Sequence, residues 1–180
     1  MGVRGLPAND CLDKRVAAIL AAVEQREEQE RIIAFEEPKI QVVVFLLAHN
    51  YYAFYGEAIK EILTVAEITY VPGMPEYLLG VMNVRGEIES VLDLRSVFGL
   101  PAAPLTPHSR IMLGQAQALR SGLLVDSVAD VLEIPADRIH QPEGVLEADR
   151  TAYLAGESTY REHALMILDL AKIFEKLLNY

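Results

Sequence analysis

A mainly β fold of small closed barrels or sandwiches is predicted for this chain, preceded by an N-terminal helical extension. Short runs of β-branched and aromatic residues alternate with Gly- and Pro-bearing turns from residue 40 onward, while helical segments are few. One stretch also occurs twice. Residues 77–98, YLLGVMNVRGEIESVLDLRSVF, overlie residues 153–174, YLAGESTYREHALMILDLAKIF, at a shift of 76, with eight identities in 22 aligned positions. Tyr77, Leu78, Gly80, Arg85, Leu92, Asp93, Leu94 and Phe98 meet Tyr153, Leu154, Gly156, Arg161, Leu168, Asp169, Leu170 and Phe174. A pair this widely spaced is not a solenoid repeat and reads as two similar half-domains.

The first element is a helix. Asn9 or Asp10 can cap it, and Leu12, Val16, Ile19, Leu20 and Val23 follow one helical face. After Val23 the stripe gives way to Glu, Gln and Arg with i,i+4 pairs such as Glu27 and Arg31, a solvated rod that Pro38 ends. The stripe either packs on its own domain or pairs with another protein or another copy. Residues 42–47 then form a β-branched run, His49 and Asn50 supply a turn, and residues 51–55 return as an aromatic strand. Residues 57–60 make one helical turn, residues 71–75 break regular structure, and Pro75 suits the first position of a short helix through Leu79. Residues 81–84 and 88–92 form a hairpin around the turn Asn83-Val84-Arg85-Gly86, with Gly86 supplying a positive φ. In the second copy Glu162 stands in its place. Asp93 and Asp169 cap short helices that end near Phe98 and Phe174.

Pro101, Pro104 and Pro107 mark the connection between the halves. Residues 110–115, 122–125 and 128–134 read as strands, 137–139 as a turn, 141–150 as a polar loop, 164–168 as a buried strand and 170–178 as the closing helix. The organisation expected is an extension over residues 1–38 and a body over 39–178. Its subdomains span about 40–100 and about 108–178, with strand exchange between them open.

A chain of 180 residues that is 52% apolar has ample material for a soluble core, and its net charge of −10 without a Lys/Arg cluster speaks against nucleic acid as a partner. The single Cys11 excludes an internal disulfide framework. The N-terminus has no signal-peptide pattern and no apolar run reaches the length of a membrane span, so a cytoplasmic protein without direct membrane insertion is expected. No metal or other cofactor is indicated: His49, His108, His140 and His163 never fall at ligand spacing. No nucleophile elbow, P-loop or dinucleotide fingerprint is present. Glu87 with Glu89, and Asp126 with Asp130, read as solvated surface, so no catalytic residue is assigned.

What stands out is polar residues in apolar surroundings: Glu61 between Ile59 and Ile62, and Asn83 with Arg85 at a turn flanked by Val81, Met82 and Ile88. Arg85 either hydrogen-bonds carbonyls across its hairpin or is an arginine of a protein interface.

At these residues the chain resembles the CheW-like domain family. The resemblance runs from about residue 40 to 178. It is carried by Ala58-Ile59-Lys60-Glu61-Ile62, by Leu79-Gly80-Val81-Met82-Asn83-Val84-Arg85-Gly86, by Val91-Leu92-Asp93-Leu94-Arg95 with Phe98, and by residues 122–132, GLLVDSVADVL. It implies two intertwined SH3-like five-stranded barrels. It also implies a non-enzymatic adaptor linking the cytoplasmic tips of chemoreceptors to the histidine kinase CheA, recruited to membrane receptor arrays through these partners. A groove between the barrels is expected to receive the receptor hairpin, and barrel ends to meet the kinase's homologous regulatory domain. Matched residue by residue, the partner-binding set is Ile59, Glu61, Ile62, Gly80, Asn83, Arg85 and Gly86. Val16, Ile19, Leu20 and Val23 form a further expected contact, through self-association or the array. An adaptor of the same fold serving a non-motility two-component pathway is the alternative. The chain departs from the family pattern in its helical extension, in Glu87, Glu89 and Ser90 where aliphatic residues and Pro are usual, and in Val84 where Leu is commoner.

Overall fold

The computed structural model describes residues 19–23, 25, 38–142 and 152–178. The chain divides into two units, residues 1–38 and 39–180. In the first, residues 19–23 are helical, with Ile19, Leu20 and Val23 exposed. Val16, the helix cap, the charged rod and most of the polar loop (143–150) lie outside the described residues.

Among the described residues the second unit holds ten strands: β1 (Lys39–Leu47), β2 (Asn50–Tyr55), β3 (Ile59–Thr64), β4 (Leu78–Val84), β5 (Glu87–Asp93), β6 (Arg110–Ala116), β7 (Leu119–Val125), β8 (Ser127–Pro135), β9 (Leu154–Tyr160) and β10 (His163–Leu168). Helix α1 (Leu94–Val97) follows β5 and α2 (Leu170–Leu178) follows β10, each begun by the aspartate the sequence singled out. Asp93 Oδ1 accepts from the Arg95 amide at 2.9 Å, and Asp169 Oδ1 from the Ala171 amide at 3.0 Å. Single 3₁₀ turns, Gly56–Ala58 and Ala136–Arg138, precede β3 and follow β8.

These strands form two five-stranded sheets, β8-β1-β2-β10-β9 and β3-β6-β7-β5-β4. Neither sheet is one half of the sequence. The first two strands of each half pair with the last three of the other, antiparallel between β1 and β8 and between β3 and β6, and parallel between β2 and β10 and between β5 and β7. The two orders become identical when β1 to β5 are exchanged with β6 to β10, so the repeat is an internal duplication with exchanged strands. Each sheet closes on itself: Thr69, after β3, pairs with Val81 on β4, and His140, after β8, pairs with Glu157 on β9. The result is two intertwined SH3-like barrels.

Alternation along the strands sorts side chains into three cores. On β1, Val42 and Val44 enter the first barrel while Val43, Phe45 and Leu47 face the space between the barrels, so both faces are buried and the run is continuously apolar. Val91, Ile111 and Leu113 fill the second barrel. Between the barrels, Leu92, Leu94 and Phe98 meet their repeat partners Leu168, Leu170 and Phe174 in the largest core. These three repeated apolar pairs therefore recur because they make the joint between barrels.

The short helix expected from Pro75 is not formed. The Leu78 amide donates to the Pro75 carbonyl at 2.9 Å in a turn, and Leu78 already opposes Leu92 as the start of β4. Ladder pairing outweighs the preference of proline for a first helical turn. β9 is a strand the sequence reading left unassigned, because Glu157, Ser158 and Thr159 interrupt its apolar run.

Candidate functional site

The hairpin tip between β4 and β5 is shaped by its own side chains. Asn83 Oδ1 accepts from the Gly86 amide at 2.8 Å, and both central residues take positive φ, 55° at Arg85 and 94° at Gly86. This twist matches that of the flanking strands. The second hairpin makes the same turn without glycine, with Arg161 at 46° and Glu162 at 66°.

Bent this way, the tip carries Arg85 toward β3, where its Nη2 lies 2.5 Å from Glu61 Oε1. The Arg85 side chain is 79% exposed and that of Glu61 29%. Arg85 thus bonds a carboxylate on the opposite sheet edge rather than carbonyls across its own hairpin. The other barrel repeats the device less tightly: Arg161 Nη2 lies 3.7 Å from Asp130 Oδ2 on β8, and the Tyr160 hydroxyl donates to the same oxygen at 3.1 Å.

The seven residues matched from the sequence divide by role. Glu61, Arg85 and Ile62, the last 37% exposed, reach the surface. Asn83 and Gly86 make the turn. Ile59 is half-buried against the core between the barrels. Gly80 is buried, and a Cβ there would sit 2.1 Å from the Thr69 carbonyl oxygen, so the glycine lets that backbone close the barrel.

Three further residues at this end lie outside the matched set. Ile88, opposite Asn83 in the ladder, is 66% exposed, and its signal was an isoleucine isolated between two glutamates. Glu87 and Glu89 are not plain solvated surface. Arg120 on β7 reaches both, Nη1 to Glu87 at 2.9 Å and Nε to Glu89 at 3.0 Å, and Glu89 is buried.

Another ion pair, between Arg95 and Asp126, also holds the turn after β1. Arg95 Nε donates to Asp126 Oδ1 at 2.7 Å and Nη1 to the Pro101 carbonyl, while the Ala48 amide donates to Asp126 Oδ2 at 2.9 Å. The hydrogen bond to Asp126 raises the Arg95 pKa above its ordinary value, against a smaller effect of burial, so the charge is permanent. A groove of about 420 Å³ lies beside β3, lined by Ala58, Lys60, Gln117, Leu168, Leu170 and Ala171 among others. Among the described residues no group of His, Cys, Asp or Glu could hold a metal ion, and no helix is long and apolar enough to cross a membrane.

The model of the CheW-like domain matches residues 41–178, and the chain belongs to that family. It is 29% identical over 137 residues to the chemotaxis protein CheW of Bacillus subtilis, covering 76% of this chain and 87% of that protein. Protein FrzA of Myxococcus xanthus is 27% identical over 121 residues, covering 67% of this chain and 76% of that protein. The crystal structure of the scaffolding protein TtCheW from Thermoanaerobacter tengcongensis superposes with a TM-score of 0.71 at 31% identity, covering 77% of this chain and 94% of that one.

Proposed function

We propose that this protein is a non-enzymatic adaptor that couples chemoreceptors to the histidine kinase CheA in a cytoplasmic array held at the membrane by its partners. One observation carries the reading: Ile62 and Ile88, exposed on β3 and β5, stand at the barrel end where Arg85 bridges to Glu61. Aliphatic residues beside an arginine are the composition of an interface centre rather than of an open surface. The kinase's regulatory domain is assigned to this tip. The receptor hairpin is assigned to the groove beside β3, because Ala58 and Lys60, the neighbours of Ile59, line it. The exposed stripe of Ile19, Leu20 and Val23, continued in sequence by Val16, is assigned a further contact, self-association or the array.

Calorimetric titration of the full chain with a CheA regulatory domain and with a receptor cytoplasmic fragment tests the reading, and binding of neither overturns it. A second reading keeps the same adaptor role in a non-motility kinase pathway, since a matched relative such as FrzA does not carry a chemotaxis name. Deletion of the gene separates the two: loss of chemotaxis with other responses intact supports the first, and the converse the second.

A further inference from the structure

Two charge groups flank the β4–β5 turn of the second barrel, and they are not equally neutralised. Arg85 is answered by Glu61. Arg120 is answered twice, by Glu87 and Glu89, which lie two residues apart on β5 and so share one face. The Glu89 side chain is 9% exposed, and a carboxylate that far from water needs its counter-charge. The guanidinium charge of Arg120 is therefore committed to Glu89. Two carboxylates thus share one guanidinium, the group of three is left net negative, and Glu87, whose side chain is 66% exposed, is the member that faces solvent. It lies between Gly86 of the turn and the exposed Ile88, at the rim of the surface assigned above to a partner.

We propose that Glu87 is the carboxylate by which this surface selects its partner, receiving a lysine or arginine of the docking protein, and that Arg120 is the positioning residue that holds Glu87 in place. The inference rests on the reading of the hairpin tip as an interface and adds which chemistry it recognises. The net charge of −10 on the whole chain acts in the same direction, drawing a basic face toward this end before contact.

Stopped-flow association of the full chain with the regulatory domain of a CheA-type kinase tests it, using wild type, Glu87→Lys, Glu87→Gln, Arg120→Lys and Ile88→Glu. A rim charge acts mainly on the association rate, so Glu87→Lys is expected to slow association about tenfold at low salt while changing dissociation little. The gap should close to within about twofold at about 0.5 M salt, where screening reaches only a few ångströms. Glu87→Gln should fall between. Arg120→Lys keeps the charge but loses the fork that reaches both carboxylates, and it should reproduce part of the Glu87→Gln effect with an unchanged melting temperature. If Glu87→Lys matches wild type at low salt while Ile88→Glu weakens binding, the selecting role is wrong and the interface stands. If neither variant alters binding, the tip is not the interface and both readings fall. If wild type does not bind the kinase domain, the function proposed above fails and takes this inference with it.

Discussion

Arg85 on the β4–β5 turn and Glu61 on β3 join opposite edges of one sheet across 2.5 Å, yet Arg85 remains 79% exposed. The pair orients a guanidinium at a barrel end without being needed to hold the barrel, since an exposed bridge contributes about 0 to 1 kcal/mol. Arg85→Glu should therefore leave the thermal midpoint nearly unchanged and weaken partner binding by about tenfold or more. Melting curves and titration of the same samples check both halves. Binding within twofold of wild type would remove Arg85 from the interface.

Phe98 and Phe174 occupy equivalent places in the two repeats and meet in one core between the barrels. Phe98 stacks on Tyr52 at 5.8 Å and tilts against Tyr153 at 5.6 Å. Phe98→Ala and Phe174→Ala should each destabilise by about 3 to 5 kcal/mol in urea titrations. A cheap substitution at only one of the two would show that the duplication does not extend to its packing.

Tyr55 and Tyr160 are held above the ordinary tyrosine value of 10.0, in both cases chiefly by burial. Next comes the charge of Asp169 at Tyr55 and the hydrogen bond to Asp130 at Tyr160. A folded-state value above the unfolded one means that the neutral form is preferred in the fold. Its stabilising contribution is complete below pH 10.0 and is lost as pH rises through the raised values. Stability should be insensitive to these groups near neutrality and fall on the alkaline side. Tyr160→Phe should make that fall shallower in chemical melts taken at successive pH values.

The hairpins and capped helices were legible because their causes are local: an Asn-to-Gly turn, an aspartate before Leu94 or Leu170, and a β-branched run at 42–47. The pairing of β2 with β10 and of β5 with β7 was not, since nothing near Phe54 specifies Leu168 as its neighbour in the sheet. The duplication shows that the halves resemble each other, which holds equally whether each closes on itself or exchanges strands. At the tip, the turn residues could be read from sequence. The pairing of Arg85 with Glu61 and of Arg120 with two glutamates depends on closure of the barrel, which brings β3 to the hairpin, and on β7 lying beside β5.

The helical stripe at Ile19, Leu20 and Val23 is expected to add a contact rather than complete the fold. The strands and three apolar cores described here all fall within residues 39–180, and an isolated helix of a few turns is marginal in water. A chain starting at Lys39 should melt close to the full-length protein and bind the kinase equally, while light scattering shows any self-association lost. Insolubility or a much lower midpoint would make the helix part of the core.

Gly80 and Gly86 lie six residues apart on one hairpin, both with positive φ, and they should respond very differently to alanine. At Gly86, φ is 94° and a Cβ would meet nothing within 4 Å, so the cost is the backbone conformation alone, about 1 kcal/mol. At Gly80, φ is 144° and the added carbon would stand 2.1 Å from the Thr69 carbonyl oxygen and 2.8 Å from its carbonyl carbon. That carbonyl accepts from the Val81 amide at 2.9 Å, one of the two bonds that close the barrel, and backbone cannot step aside as a side chain can. Gly80→Ala should thus cost about 4 kcal/mol or more and lose binding through unfolding, whereas Gly86→Ala should stay folded. Circular dichroism melts of the two variants decide it: a Gly80→Ala protein as stable as Gly86→Ala would mean that the Thr69 closure is dispensable.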